Sequence, residues 1–165
     1  MTTTFPQLSS DLTGDSRIKV MLADGDTDDH ALMSAFAADW APQLDFSFAH
    51  DGVDLLVQLA VLEDPQEFPD VIVLNYEMPR YDGFLALCEL QAHQQLWQIP
   101  VIVLSDRLGR DIEVSCYRAG ARWFQQRPTS RIEMGELLMR VEEFAGRADI
   151  DLSGSVGEAG WPNVP

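Results

Sequence analysis

Lysine is almost missing from this chain: of its 11 basic residues only Lys19 is a lysine, and the other ten are arginines. Basic charge of any kind is scarce, because 27 Asp and Glu residues leave a net charge of −16. A surface of that sign repels phosphate backbones and anionic headgroups, which argues against a nucleic-acid or membrane partner. Cysteine is scarce too. Cys88 and Cys116 fall inside helical patterns without metal-ligand spacing and are expected as buried, reduced thiols of a cytoplasmic protein. No apolar run approaches the ~18 residues of a membrane span, and the N-terminus lacks the basic-then-apolar order of a secretory signal. His30, His50 and His93 lie on separate elements, so no histidine-based metal or catalytic site is expected.

What remains is an ordinary globular composition, 46% hydrophobic and 23% charged over 165 residues, enough for one domain with a single core. Residues 1–16 and 146–165 are rich in small and polar residues without periodicity and are expected to be disordered. Between them apolar runs alternate with helical patterns. Strands are expected at Ile18–Ala23, Leu44–Ala49, Val71–Leu74, Pro100–Leu104 and Ala121–Gln125. Helices are expected at Asp28–Asp39, Gly52–Leu62, Gly83–His93, Arg110–Ala119 and Thr129–Ala145. Gly120 supplies a C-cap for the fourth helix, and Ser130 with Glu133 a capping box for the fifth. Five βα units with all-apolar central strands imply a parallel sheet covered on both faces. In such a sheet ligands bind beyond the carboxyl ends of the strands, so the residues closing the strands are the ones to inspect.

The segment Asp70-Val71-Ile72-Val73-Leu74-Asn75-Tyr76-Glu77-Met78-Pro79-Arg80-Tyr81-Asp82-Gly83 resembles the central stretch of bacterial response-regulator receiver domains. The resemblance runs from about Arg17 to Ala145. It implies a flavodoxin-like, doubly wound (βα)5 fold with parallel strand order 2-1-3-4-5. It also implies a receiver domain at 17–145, flanked by the segments 1–16 and 146–165.

In that family the third strand closes on an aspartate that accepts a phosphoryl group; here the residue is Asn75. An amide oxygen is a poor nucleophile without the charge a metal would neutralise, so acyl-phosphate formation is not expected there. The acidic pair after the first strand, which holds magnesium in the family, aligns with Asp24 and Gly25, so the second acid is missing. Magnesium binding is therefore expected to be lost or weak, with Asp24 and Asp26 as weak metal candidates. Asp26, Asp28 and Asp29 also read as favourable charge in a first helical turn. Ser105 matches the family's Ser/Thr that bonds the phosphoryl group, although a small polar residue closing a strand is an equally good description. Arg127 stands where the family has Lys before proline. The resemblance implies a cis bond before Pro128, which proline makes cheap. Arg127 either forks onto Asp24 and fills the pocket or points to solvent. Phe124 occupies the aromatic switch position, and Trp123 beside it is expected on the outer surface, as an interface anchor or a partly covered aromatic.

The expected function is that of an atypical, stand-alone receiver in two-component or phosphorelay signal transduction, cytoplasmic and not an enzyme. It would act by protein contact without aspartate phosphorylation. No output domain fits in the ~20 residues after the last helix. The fourth helix, fifth strand and fifth helix are the expected contact face, carrying Cys116, Tyr117, Arg122 and Trp123. A sensor kinase or downstream signalling protein is the expected partner, with a homodimer formed through the same face. Two alternatives remain. One is a receiver phosphorylated or metal-responsive through Asp24, Asp26 or Ser105. The other is a flavodoxin-like enzyme or nucleotide binder, disfavoured because Asp24-Gly25-Asp26 repels phosphate where a glycine-rich loop would cradle it.

Overall fold

Strand β3 (Val71–Asn75) is the centre of the molecule: Val71, Ile72, Val73 and Leu74 are wholly removed from solvent. Each such side chain contributes about 1.5–3 kcal/mol relative to exposure, and four in a row fit only a strand covered on both faces. The computed structural model describes residues 17–146, so the segments 1–16 and 147–165 lie outside the described residues.

Around β3 run β1 (Ile18–Ala23), α1 (Thr27–Trp40), β2 (Leu44–Ala49), α2 (Gly52–Ala60), α3 (Gly83–Ala92), β4 (Val101–Ser105), α4 (Arg110–Arg118), β5 (Trp123–Gln126) and α5 (Arg131–Ala145). The five strands form one parallel sheet in the order β2-β1-β3-β4-β5. Alternation splits the core in two. Met21, Ile72, Leu74, Val101 and Val103 pack with Leu55 and Leu59 of α2, Leu87 and Leu90 of α3 and Cys116 of α4. Val20, Leu22, Val71, Val73, Ile102 and Leu104 pack with Met33 of α1 and with Leu137, Leu138, Val141 and Phe144 of α5. Two helices cover one face and three the other, so the flavodoxin-like arrangement expected from the sequence is the observed one.

The helices start where side chains can satisfy their first free N–H groups. Asp26, Asp51, Asp82 and Ser130 cap α1, α2, α3 and α5. At α5 the capping box is complete, and the Thr129 and Ser130 N–H groups hold the Glu133 carboxyl below its usual range. Helix α4 ends before Gly120, whose φ of +100° only glycine adopts without strain.

Several local expectations change. Cys116 is buried, but Cys88 is exposed, because its place on α3 faces away from the sheet. In α1 the buried residues are His30, Met33 and Ala37, while Leu32 is 47% exposed. His30 and His50, expected to be apart, bring their rings within 5.3 Å, since the α1 start and the β2 end meet beside β1. The Arg127–Pro128 bond is trans, like every peptide bond among the described residues. Trans is the lower-energy isomer of an X–Pro bond, and here the Arg127 N–H continues the sheet by donating to the Ser105 carbonyl at 3.0 Å.

One close approach fixes the loop after β3. A Cβ on Gly83 would lie 2.2 Å from the Asn75 carbonyl oxygen, whereas one on Gly109 would meet nothing nearer than 3.7 Å. Gly83→Ala is expected to cost at least ~1–3 kcal/mol in urea denaturation, because backbone rather than a flexible side chain must move. Gly109→Ala, in open space at an N-cap, should stay within about 1 kcal/mol of the parent.

Candidate functional site

The chain leaves β1 toward β2 on one side and returns to β3 on the other, which opens a cleft beyond the strand ends. Asp24 follows β1, Asn75 closes β3, Ser105 closes β4 and Arg127 follows β5. The structure brings these four together. Asp24 is 4% exposed, Asn75 2% and Ser105 0%, so unpaired polar groups here would be expensive.

The buried side chains of Asp24, Asn75 and Ser105 all have hydrogen-bond partners from the chain itself. Asp24 Oδ1 accepts from the Asp26 N–H at 3.0 Å and from Asn75 Nδ2 at 3.2 Å. Asp24 Oδ2 lies 3.2 Å from an Arg127 terminal nitrogen. The Asp24 carbonyl meets His30 Nε2 at 2.8 Å, so that ring nitrogen carries the proton. Asn75 also works in both directions on the following loop: Nδ2 donates to the Glu77 carbonyl at 3.0 Å, and Oδ1 accepts from the Glu77 N–H at 3.3 Å.

Arg127 enters the cleft instead of pointing to solvent; its side chain is 23% exposed. Its second terminal nitrogen pairs with Asp29, and Nε lies 3.3 Å from Asp106 Oδ1, an ion-pair distance without the alignment of a hydrogen bond. One guanidinium thus faces three carboxylates from β1, α1 and the loop after β4. Burial pushes the Asp29 carboxyl above its ordinary value; Arg127 opposes the shift, and the charges of Asp24, Asp26 and Asp106 add to it.

Sequence reasoning anticipated Arg127 with Asp24 but not Asp29, Asp106 or Glu77. Asp29 also reads as first-turn charge on α1, and only the Arg127 side chain, entering from the end of β5, turns it into a partner. Asp26 does serve as N-cap, accepting from the Asp28 N–H at 2.8 Å, and stays exposed outside the cleft. Gly25 is exposed, and a Cβ there would lie 2.9 Å from Pro79 Cδ. The Pro79 ring therefore stands where a side chain at position 25 would begin. Pro79 is followed by Arg80, in the left-handed region at φ 68° and paired at 2.7 Å with the buried Asp51.

On the α4–β5 side the residues separate. Phe124 is buried, Arg122 is exposed, and Trp123 is half-buried with the Arg140 guanidinium 4.2 Å above its ring. Cys116, expected on this face, points into the core instead, and its thiol is pushed up to about 11 by burial. Tyr117 is half-buried and its hydroxyl accepts the Phe124 N–H at 3.2 Å, tying α4 to β5. Beside it a cavity of about 600 Å³ is lined by Leu108, Val114, Tyr117 and Phe124.

The family model of the response regulator receiver domain matches residues 20–139, which contain every cleft residue named above. The chain belongs to that family. It is 39% identical over 100 residues to a protein-glutamate methylesterase/protein-glutamine glutaminase of Azospirillum brasilense, covering 55% of this chain and 25% of the relative. It is 24% identical over 96 residues to response regulator Rcp1 of Synechocystis sp., covering 55% and 65%. The chain spans between 18% and 29% of the first curated relatives it matches. Among solved structures, the receiver domain of Francisella response regulator 1452 superposes with a TM-score of 0.63 at 26% identity, over 78% of this chain and 97% of that one. The phosphorylated cyanobacterial phytochrome response regulator RcpA shares the fold, with a TM-score of 0.67 at 22% identity over 78% and 93%.

In this receiver Arg127 is the group whose loss reads out the cleft. Arg127→Ala is expected to lower stability at pH 7 by about 1–3 kcal/mol in urea denaturation, since three carboxylates then face one another in a partly dry cleft, with solvent screening keeping the cost modest. The sign with pH follows from Asp29, whose folded-state pKa is already raised. A carboxyl raised on folding opposes folding once ionised, so stability is lost as pH rises through its folded value and regained below it. Without Arg127 the rise is larger. The gap between variant and parent should therefore shrink on going from pH 7 to about pH 4.

Proposed function

We propose that this receiver transmits its signal by protein contact, without phosphorylation at the end of β3. The observation that carries the reading is the side chain of Asn75, which lies in the cleft with its amide donating to Asp24 and its oxygen taken by the Glu77 N–H. The position offers neither a carboxylate nucleophile nor a free oxygen.

The donor set does not fit magnesium. A magnesium site needs oxygen ligands in octahedral geometry. Here Gly25 has no side chain, Asn75 presents N–H groups toward Asp24, and a guanidinium occupies the remaining Asp24 oxygen. Among the described residues no group of three or more His, Cys, Asp or Glu side chains is arranged to hold a metal ion. Arg127 supplies a permanent positive charge in place of a transient one. The neighbouring acceptors are equally engaged: Asp24 in the contacts above, Asp26 in capping α1, and Ser105 Oγ in a 2.7 Å bond to Glu77. The domain is in this reading not an enzyme, and the methylesterase activity named for its relatives is not assigned to it.

Contact is assigned to the face of α4, β5 and α5. On these elements and the loop into α4, Leu108 is 69% and Met139 66% exposed, Arg122 is exposed and Trp123 half-buried. Half-buried aromatic residues beside an exposed arginine suit an interface anchor. A sensor kinase, a downstream signalling protein or a second copy of the chain is the partner class, and the charge of −16 favours a basic protein surface over nucleic acid. The domain is read as cytoplasmic; among the described residues no helix is long and apolar enough to cross a membrane.

Incubation with a small phosphodonor and magnesium, followed by intact mass, tests the reading. The parent is expected to gain no phosphoryl mass, and a gain comparable to that of a repaired variant would overturn it. Repair requires Gly25→Asp, Asn75→Asp and Arg127→Lys together, and the structure adds Pro79→Ala, because the proline ring blocks a Cβ at position 25. The fourfold variant should take up a phosphoryl group where the threefold one does so poorly. Asn75→Asp alone places a carboxylate about 3 Å from Asp24 Oδ1 and should destabilise the domain by ~1–3 kcal/mol at neutral pH, less at acid pH as the pair shares a proton.

A further inference from the structure

Two donors at the end of β4 converge on one carboxylate. The Ser105 hydroxyl lies 2.7 Å from Glu77 Oε1, and the Asp106 N–H donates to Glu77 Oε2 at 3.0 Å. A hydroxyl and a backbone amide gripping the two oxygens of one anion form, by their chemistry, an oxyanion receptor. Ser105 is wholly buried and its Oγ also accepts the Arg107 N–H at 3.0 Å, so the receptor is held by the turn 105–107 rather than by mobile side chains. Its occupant comes from the same chain.

We infer that Glu77 is a built-in anion, held in this receptor by the Asn75 amide, so that the β4–α4 loop is permanently liganded by a carboxylate of the domain itself. The inference rests on the contact-only reading of the cleft and deepens it by naming what fixes the loop. Asn75 holds the Glu77 backbone at both ends, Nδ2 on its carbonyl and Oδ1 on its N–H. An aspartate at 75 has no donor to offer the Glu77 carbonyl, so the amide has a positive structural role. With Arg127 among Asp24, Asp29 and Asp106, the cleft then contains both an internal cation and an internal anion. The loop they hold leads directly into α4, the proposed contact face.

The test uses the full chain and the Asp106 amide as reporter, by hydrogen exchange and ¹H–¹⁵N NMR. Charged hydrogen bonds of this type differ from neutral ones by about tenfold in equilibrium terms. Glu77→Gln, which keeps the shape and removes the charge, is expected to speed exchange of the Asp106 amide by about tenfold while β1 and β3 amides keep their protection. Glu77→Ala vacates the receptor, so inorganic phosphate at constant ionic strength should shift the Asp106 amide saturably in that variant and not in the parent. Adding Ser105→Ala to Glu77→Ala should abolish the shift. An Asp106 amide whose exchange changes less than about twofold in Glu77→Gln overturns the inference, and that variant decides the question even if Glu77→Ala fails to fold. So does a parent that binds phosphate as well as Glu77→Ala. Phosphoryl uptake by the parent from a small donor, with the Asp106 results as expected, overturns the contact-only function and leaves the role of Glu77 standing.

Discussion

The guanidinium of Arg127 lies among three carboxylates from two regions far apart in the chain: Asp24 and Asp29 at the β1–α1 junction and Asp106 after β4. Three acids in a largely buried cleft repel one another strongly, since charge interactions lengthen and strengthen as water is removed. A cation between them offsets that repulsion at the carboxyl edge of the sheet. Arginine does this with a planar fork that reaches several oxygens at once and cannot lose its proton. That one group links the end of β1, the start of α1 and the loop after β4.

Asn75 complements it from below. A carboxylate at this position would need a metal to tolerate Asp24 at hydrogen-bond distance; an amide turns the same distance into an attraction. The loop 76–83 then closes over the cleft with Pro79 against Gly25, Arg80 paired with Asp51 and Gly83 close beneath the Asn75 carbonyl. Gly25, Asn75 and Arg127 therefore belong to one arrangement. The missing side chain at 25 admits the proline, the amide at 75 donates to Asp24, and the arginine pairs with the same aspartate.

Such a centre has consequences for signalling. On the proposed contact-only reading, the position of the loop after β4 is set by folding and is independent of a bound group. The surface of α4 and β5 is then offered constantly, with Tyr117 joining the helix to the strand and Arg140 covering Trp123. Regulation would have to act on how much of the protein is present or on what competes for that surface.

Much of this was legible in the chain itself. The unbroken apolar runs at Val71–Leu74 and Val101–Leu104 can be satisfied only by a strand buried on both faces, and Ser130 with Glu133 marks a helix start through purely local hydrogen bonds. The identities of Asn75, Gly25 and Arg127 at strand ends likewise follow from sequence, because strand ends are local features. Partnership across the cleft does not. Asp29 and Asp106 are ordinary acids until Arg127 reaches both from the end of β5, and Glu77 is an ordinary loop acid until β3 and β4 end level with each other. The trans bond before Pro128 and the outward place of Cys88 were also decided by tertiary packing. Local hydrogen bonding and hydrophobic period depend on neighbours a few residues away, so the sequence carries them. Charge pairing and burial at the sheet's carboxyl edge depend on residues some 30 to 100 positions apart, and only the folded chain brings those together.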